Sequence, residues 1–505
     1  MQSSRSPGKP IGAVFTPLKW AKWLVQTFGV VEKWLSGARV CDPTAGEGAF
    51  AFALIDIAEG LGAIVDDTLL NRLYLIEREE CFVEAFKENF RRRYAREFPA
   101  GNIFCADVIL DCPSIRADVL IGNPPWVNFP DLDRDYKEVL KPFFLEYGLI
   151  QDTQRLLLGS SRVDLSALIV AKALESLLTE GGEALFFIPL SLFLNDGAHA
   201  GFRRMKFKMS SFSVSDIYDF GDETVFDAVS TRFGVARICC DTQLRFPVPY
   251  RIRQNKSWVG KYAAPLHGDT SPLSILDSKE SWLALKQFEP ISIHKHQIPR
   301  QGVNTCGAND VFVFDQYPTF LPDEFVFPLA SKECFENPTL QPKRFILIPY
   351  DVKSGKPLSE TSLKQYPNLW EYLNCHRDVL VARRGTMINT WIKRDKWWAC
   401  LGVGPYSFTP YKLIWEALGK KKFKPIVLHA YSGKSWQANQ ALHCFVPLKT
   451  RTEADALLEK FQDPLIEQYL LSFNMAGTCS WAQPGRIKKL LRIIDESKNL
   501  EFSFG

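Results

Sequence analysis

The chain has 505 residues, a formal net charge of +4, and 46% hydrophobic and 13% aromatic residues. That length exceeds what one core usually organises, so at least two domains are expected. No apolar stretch approaches the roughly 20 residues of a membrane span, and MQSSRSPGKP has no apolar signal core behind it. The twelve cysteines and seven histidines lack metal-ligand spacing, so they read as free thiols and unligated imidazoles of a cytoplasmic protein with no metal and no membrane partner.

In chain order, the first chemically informative stretch is ARVCDPTAGEGAF (38–50), a short strand running through a Gly-rich turn into a helix. Gly46 and Gly48 let the chain turn tightly and bring backbone N–H groups against a ligand. The dinucleotide fingerprint of three spaced glycines is absent, and Asp42-Pro43 ahead of Gly46-Glu47-Gly48 is the pattern of S-adenosylmethionine sites. A second strand, LYLIE (73–77), ends in Glu77, where an acid can accept both ribose hydroxyls. A third, NIFCAD (102–107), ends in Asp107, within reach of an adenine edge.

The fourth strand, ADVLIG (117–122), stops at Asn123-Pro124-Pro125-Trp126. Each proline fixes its own φ and keeps the preceding residue extended. The carbonyl of Pro124 and the amide of Asn123 therefore form two converging acceptors for an exocyclic amine, and Trp126 offers a face for a flat ring. Helical stretches such as 79–96 and 164–179 alternate with strands up to about residue 240. This implies an α/β fold with a mostly parallel Rossmann-like sheet, helices on both faces, and the ligand at the carboxyl ends of the strands. EALFFIP (183–189) and VSDIYDF (214–220) add strands, and RFGVARICC (232–240) reads as an antiparallel one. Residues 246–290 lose clear periodicity and read as a hinge between a domain at 1–245 and a mixed α/β domain at 291–505.

In these motifs and their order the chain resembles the γ-class N6-adenine DNA methyltransferases with a C-terminal target-recognition domain. GAVFTP (12–17) is similar to the first cofactor segment, which would place Thr16 and Pro17 over the methionine end. The resemblance makes Asp42, Thr44, Gly46, Glu47 and Gly48 the methionine-binding loop, followed by Glu77 and Asp107, with Asn123 adjoining the cofactor. Asn123, Pro124, Pro125 and Trp126 become the catalytic motif. Trp126 stands where a tyrosine is commoner, so the phenolic hydroxyl is lost. IPLSLFLNDGAHAGFRR (188–204) and DETVFDAVSTRFGVARI (222–238) are similar to later motifs, the second placing Phe226 against an extruded base. What this implies is methyl transfer from S-adenosylmethionine to adenine N6 in double-stranded DNA by base flipping, in a restriction–modification or phage-defence system.

Charge separates the two halves. Residues 251–505 hold 34 Lys and Arg against 24 Asp and Glu, whereas residues 1–250 hold 27 against 33. Arg383, Arg384, Lys393, Arg394, Lys396, Lys420, Lys421 and Lys422 interleave with Trp391, Trp397, Trp398, Trp415 and Trp436, which predicts a DNA-facing surface. A long connection at 127–163 is expected to order over DNA or cofactor. Asn-Pro-Pro motifs also serve methyltransferases acting on RNA bases or protein glutamine, which generally lack a large basic C-terminal half. A degenerate DNA-binding subunit is disfavoured by the intact motif residues. No nuclease pattern is found, so any nuclease is expected to be a separate protein or a subunit of a defence complex.

Overall fold

The computed structural model describes residues 14–150, 163–195, 198–221, 223–226, 231–240, 245–266, 268–336, 341–418, 422–439, 443–472 and 482–494. The chain divides into two compact units, Met1–Lys286 and Gln287–Gly505.

The first unit is built on a ten-stranded sheet. Its first five strands are β1 (Val40–Asp42), β2 (Leu73–Glu77), β3 (Ile103–Cys105), β4 (Ala117–Gly122) and β5 (Leu178–Pro189). A separate hairpin pairs β6 (Lys206–Phe207) with β7 (Ser210–Ser211). The sheet continues with β8 (Ser213–Asp219), β9 (Phe233–Cys239), β10 (Val248–Gln254), β11 (Ser257–Pro265) and β12 (Leu273–Leu276). The spatial order is β12-β11-β10-β8-β9-β5-β4-β1-β2-β3. Strands β1 to β5 are mutually parallel. β9 runs antiparallel between β5 and β8, as its sequence predicts. Because the chain runs outward from β1 through β2 to β3 and then returns to β4 on the other side, the order reverses beside β1, and a crevice opens there at the carboxyl ends.

The sequence makes these elements for identifiable reasons. Every residue of β1 is buried, as a central parallel strand requires. In the helix Glu80–Tyr94, Val83, Phe86 and Phe90 recur at helical spacing and are buried, while Arg91, Arg92 and Arg93 complement the dipole in its last turn. The helix Leu165–Leu177 is apolar around most of its circumference and buries ten residues, so it belongs to the interior.

The expected hinge at 246–290 is corrected by the sheet itself. Tyr250 to Ile252 pair in parallel with Ile217 to Asp219, and β11 and β12 follow by antiparallel pairing, so residues 248–276 extend the ten-stranded sheet. The unit boundary falls at 286/287.

The second unit is mixed α/β. An antiparallel four-stranded sheet joins Arg300–Gln301, His443–Leu448, Tyr411–Glu416 and Ile426–His429 in that order. A three-stranded sheet joins Val313–Phe314, Phe345–Leu347 and Val326–Pro328. Among the described residues no helix is long and apolar enough to cross a membrane, and no three His, Cys, Asp or Glu side chains cluster as metal ligands.

Candidate active site

Four strand ends meet in one crevice. Asp42 closes β1, Glu77 closes β2, Asp107 lies two residues beyond β3, and Asn123 follows β4. A half-open cleft is lined by Phe15, Gly46, Glu77, Asp107, Asn123 and Tyr136 among others.

Each acid is held by local bonding. Glu77 accepts from the backbone N–H of Gly46 (2.8 Å) and of Glu79 (2.9 Å), so it ties the Gly-rich loop to the end of β2. Burial pushes its carboxyl pKa up, partly offset by those two bonds. Asp42 Oδ1 accepts from Thr44 N–H at 3.0 Å, while its Oδ2 and the Thr44 hydroxyl are buried without a partner. Burial raises the Asp42 carboxyl to about 8. Gly122 makes room for this arrangement, since a Cβ there would lie 2.9 Å from Asp42 Oδ1. Gly48 has φ +81°, and a Cβ on it would overlap the Phe86 ring at 2.2 Å.

Asn123 is the most informative side chain. Its Nδ2 donates to the Val14 carbonyl (3.0 Å) and to Thr16 Oγ1 (3.2 Å). A backbone carbonyl can only accept, so the amide orientation is settled and Oδ1 points the other way. That oxygen is buried and has no partner. Buried acceptors are normally satisfied, so this one leaves a hydrogen-bonding capacity unused beside the cleft.

Other expected residues fall in different places. Thr16 lies in the site, but it holds Asn123. Pro17 is exposed, its carbonyl caps the helix Leu18–Thr27 by accepting from Trp20 and Ala21, and it lines neither the main cleft nor the adjoining one. Glu47 is exposed and borders an adjoining cleft shared with Thr16 and Asn123. Pro125 lines the main cleft, whereas Pro124 is buried beside it. Trp126 and Phe226 meet edge to face, with centroids 5.2 Å apart at 89°. Phe226 is 2% exposed, and one face of Trp126 is stacked on Phe233 (5.4 Å, 30°). The expected slot between Trp126 and Phe226 is therefore filled by their own contact.

The sequence did not single out Phe15, Arg78 or Tyr136. Tyr136, on the helix Arg134–Glu146 within the long connection after β4, donates to Asp107 Oδ2 at 2.7 Å, and the Arg78 guanidinium lies 4.9 Å from its ring centroid. The unusual length of that connection was the available signal; its residues 151–162 lie outside the described ones.

The expected DNA surface is corrected in part. Arg383 is 6% exposed, and its guanidinium donates to the carbonyls of Leu380, Thr305, Ala399 and Trp397, so it is an internal clamp. Lys396 donates to the Leu358 carbonyl at 3.1 Å and lies over Trp398. Trp397, Trp398, Trp415 and Trp436 are buried and Trp391 is half-buried, so these rings are packing groups. Arg384, Lys393, Arg394 and Lys422 are exposed; Lys420 and Lys421 lie outside the described residues.

A parallel sheet with a reversed order beside β1, one antiparallel strand inserted between β5 and β8, and acids at successive strand ends define a Rossmann-like methyltransferase fold. Residues 73–226 match the family model of the Eco57I restriction-modification methylase. A search of curated proteins gives no match. Among solved structures, the Type IIL restriction-modification enzyme MmeI in complex with DNA is similar at 12% identity and a TM-score of 0.49, covering 92% of this chain and 65% of that one. The type IIG restriction endonuclease BpuSI is similar at 13% identity and a TM-score of 0.40, with 97% of this chain and 60% of that one covered. A type I restriction-modification methyltransferase subunit from Streptococcus thermophilus is 13% identical at a TM-score of 0.36, over 56% of this chain and 55% of its own. The chain thus spans less than two thirds of the length of these proteins.

Proposed function

We propose that this protein transfers a methyl group from S-adenosylmethionine to the N6 of adenine in double-stranded DNA, as the modification activity of a restriction–modification or phage-defence system. The observation that carries this reading is the buried, unfilled Oδ1 of Asn123, aimed by the two bonds on its Nδ2. The target amino group is paired inside the duplex, so the base must be extruded before it can reach that oxygen.

The crevice fits the cofactor by its donor set. Glu77 suits ribose hydroxyls, Asp107 suits the adenine amino group, and the Gly46 loop with the unpartnered Asp42 Oδ2 and Thr44 Oγ1 suits a polar methionine end. When bound, S-adenosylmethionine supplies the sulfonium methyl. Asn123 Oδ1 accepts one N6 hydrogen and the Pro124 carbonyl the other, which returns electron density to the nitrogen and moves it toward a tetrahedral nucleophile. Positioning and electrostatic complementarity do most of the work, and the methylated ammonium loses its proton to water. Exposed Arg384, Lys393, Arg394 and Lys422 offer cations to the phosphate backbone.

The test is incubation of the full chain with labelled S-adenosylmethionine and duplex DNA, with structured RNA and glutamine-containing protein as parallel acceptors. N6-methyladenine in the DNA alone is the expected result. Label only in RNA or protein overturns the reading.

A further inference from the structure

Apart from the catalytic crevice, the second unit holds a polar groove of its own. It is lined by Arg300, Gln301, Asn304, Met387, Tyr406, Gln483 and Lys488 among others, and no carboxylate of the described residues lines it. These side chains come from four distant parts of the sequence, so the groove is a product of the fold and invisible to motif reading.

Two features set it apart from an ordinary solvated surface. The Arg300 guanidinium lies 4.7 Å from the centroid of the Tyr406 ring, a contact that holds the planar fork in one orientation. The Gln301 amide donates to the Gln483 amide oxygen at 2.5 Å, so the two amide planes fix each other. An oriented guanidinium matches the O6 and N7 acceptors of guanine, and an oriented carboxamide matches the N6 and N7 edge of adenine. Carboxamides carry no net charge, so phosphate attraction alone gives no reason to place two of them here. Met387 is 69% exposed, an apolar group free to meet a base or a thymine methyl. The helix Thr386–Ile392 that carries it is bracketed by exposed Arg384, Lys393 and Arg394, and Lys488 is exposed in the groove itself. Cations around an acid-free, amide-lined groove are complementary to duplex DNA.

We propose that this groove reads the recognition sequence, with Arg300, Gln301 and Gln483 on base edges and Lys488 on the phosphate backbone. The proposal rests on duplex DNA being the substrate.

The test compares the methylated motif of the full-length wild type, Arg300→Ala, Gln483→Ala and Lys488→Gln by modification-sensitive sequencing of a random-sequence duplex library. Arg300→Ala and Gln483→Ala are each expected to relax one or two motif positions, losing about 10- to 100-fold in discrimination there. Lys488→Gln is expected to keep the motif and lower the slope of log K against log salt by about one. An unchanged motif in both Arg300→Ala and Gln483→Ala overturns the proposal. A uniform loss over all sequences does so too, because it assigns the groove to phosphates only. If either variant fails to unfold cooperatively, Arg300→Lys, which keeps the charge and loses the fork, and Gln483→Glu take their places under the same criteria. A wild type that methylates no DNA overturns the proposed function instead, and the two failures are distinguishable.

Discussion

Asn123 in the first unit, half-buried with its amide oxygen shielded, and Arg383 in the second, buried, differ in what is left unbonded. The Arg383 guanidinium is spent on four backbone carbonyls. The amide nitrogen of Asn123 is equally committed, yet its oxygen is buried with no partner. A satisfied buried group holds the protein's own chain together; an incomplete one leaves a hydrogen-bonding capacity open. Burial or charge alone does not separate these cases, and the hydrogen-bond inventory does.

The contrast can be broken at its strongest point by Asn123→Ala. Removing the acceptor should cut methyl transfer by about 10²–10³-fold or more, while calorimetric affinity for S-adenosylhomocysteine stays nearly unchanged. Thr16→Val, which removes one of the two bonds that aim the amide, should cost less, about tenfold, in kcat rather than in KM. An active Asn123→Ala protein would place the chemistry elsewhere.

Arg383→Ala should fail differently. Removing a buried donor shared by four carbonyls should destabilise the second unit by about 3 kcal/mol or more, read by denaturant unfolding. Its sequence neighbour Arg384 is exposed. Arg384→Ala should leave stability within about 0.5 kcal/mol and lower the salt slope of DNA binding by about one. Equal behaviour of the two variants would erase the distinction.

Asp42 sharpens it on the pH axis. Burial holds its carboxyl at about 8 against an ordinary 3.8. Between those values the native state keeps a proton that the unfolded state has released, so stability falls as pH rises through that window. The slope attributable to this group is at most about 1.4 kcal/mol per pH unit. Asp42→Asn should flatten it in urea titrations of the ligand-free protein; an unchanged slope would mean that Asp42 is ionised in the native state.

The parts of the site readable in the sequence are those where an apolar run ends on a single polar residue. Val119-Leu120-Ile121 ahead of Asn123 and Leu75-Ile76 ahead of Glu77 announce both a strand and what stands at its end. Tyr136 and Arg78 were unreadable because their meaning lies in a contact across 58 residues of chain. Strands β10 and β11 escaped for another reason. Most of their side chains are half-exposed or exposed, and Pro249 interrupts the run, so neither continuous apolarity nor clean alternation marks them. Lys396-Trp397-Trp398 reads as a basic, stackable patch, but both rings face inward and the lysine lies over one of them. Proximity in sequence carries no information about which way a side chain turns.

The edge-to-face contact of Trp126 with Phe226 has one more consequence. Their rings already hold each other, and such a pair is worth about 0.5–1.5 kcal/mol beyond its burial. Any planar guest seated on Trp126 therefore competes with a resident ring for the same surface. Admission becomes a contest with a fixed threshold: a ring that packs no better than the resident phenyl ring gains nothing by entering, and the observed affinity is the intrinsic one scaled down by the fraction of molecules in which the pair has parted. The protein's own side chain is the standard against which each incoming ring is weighed.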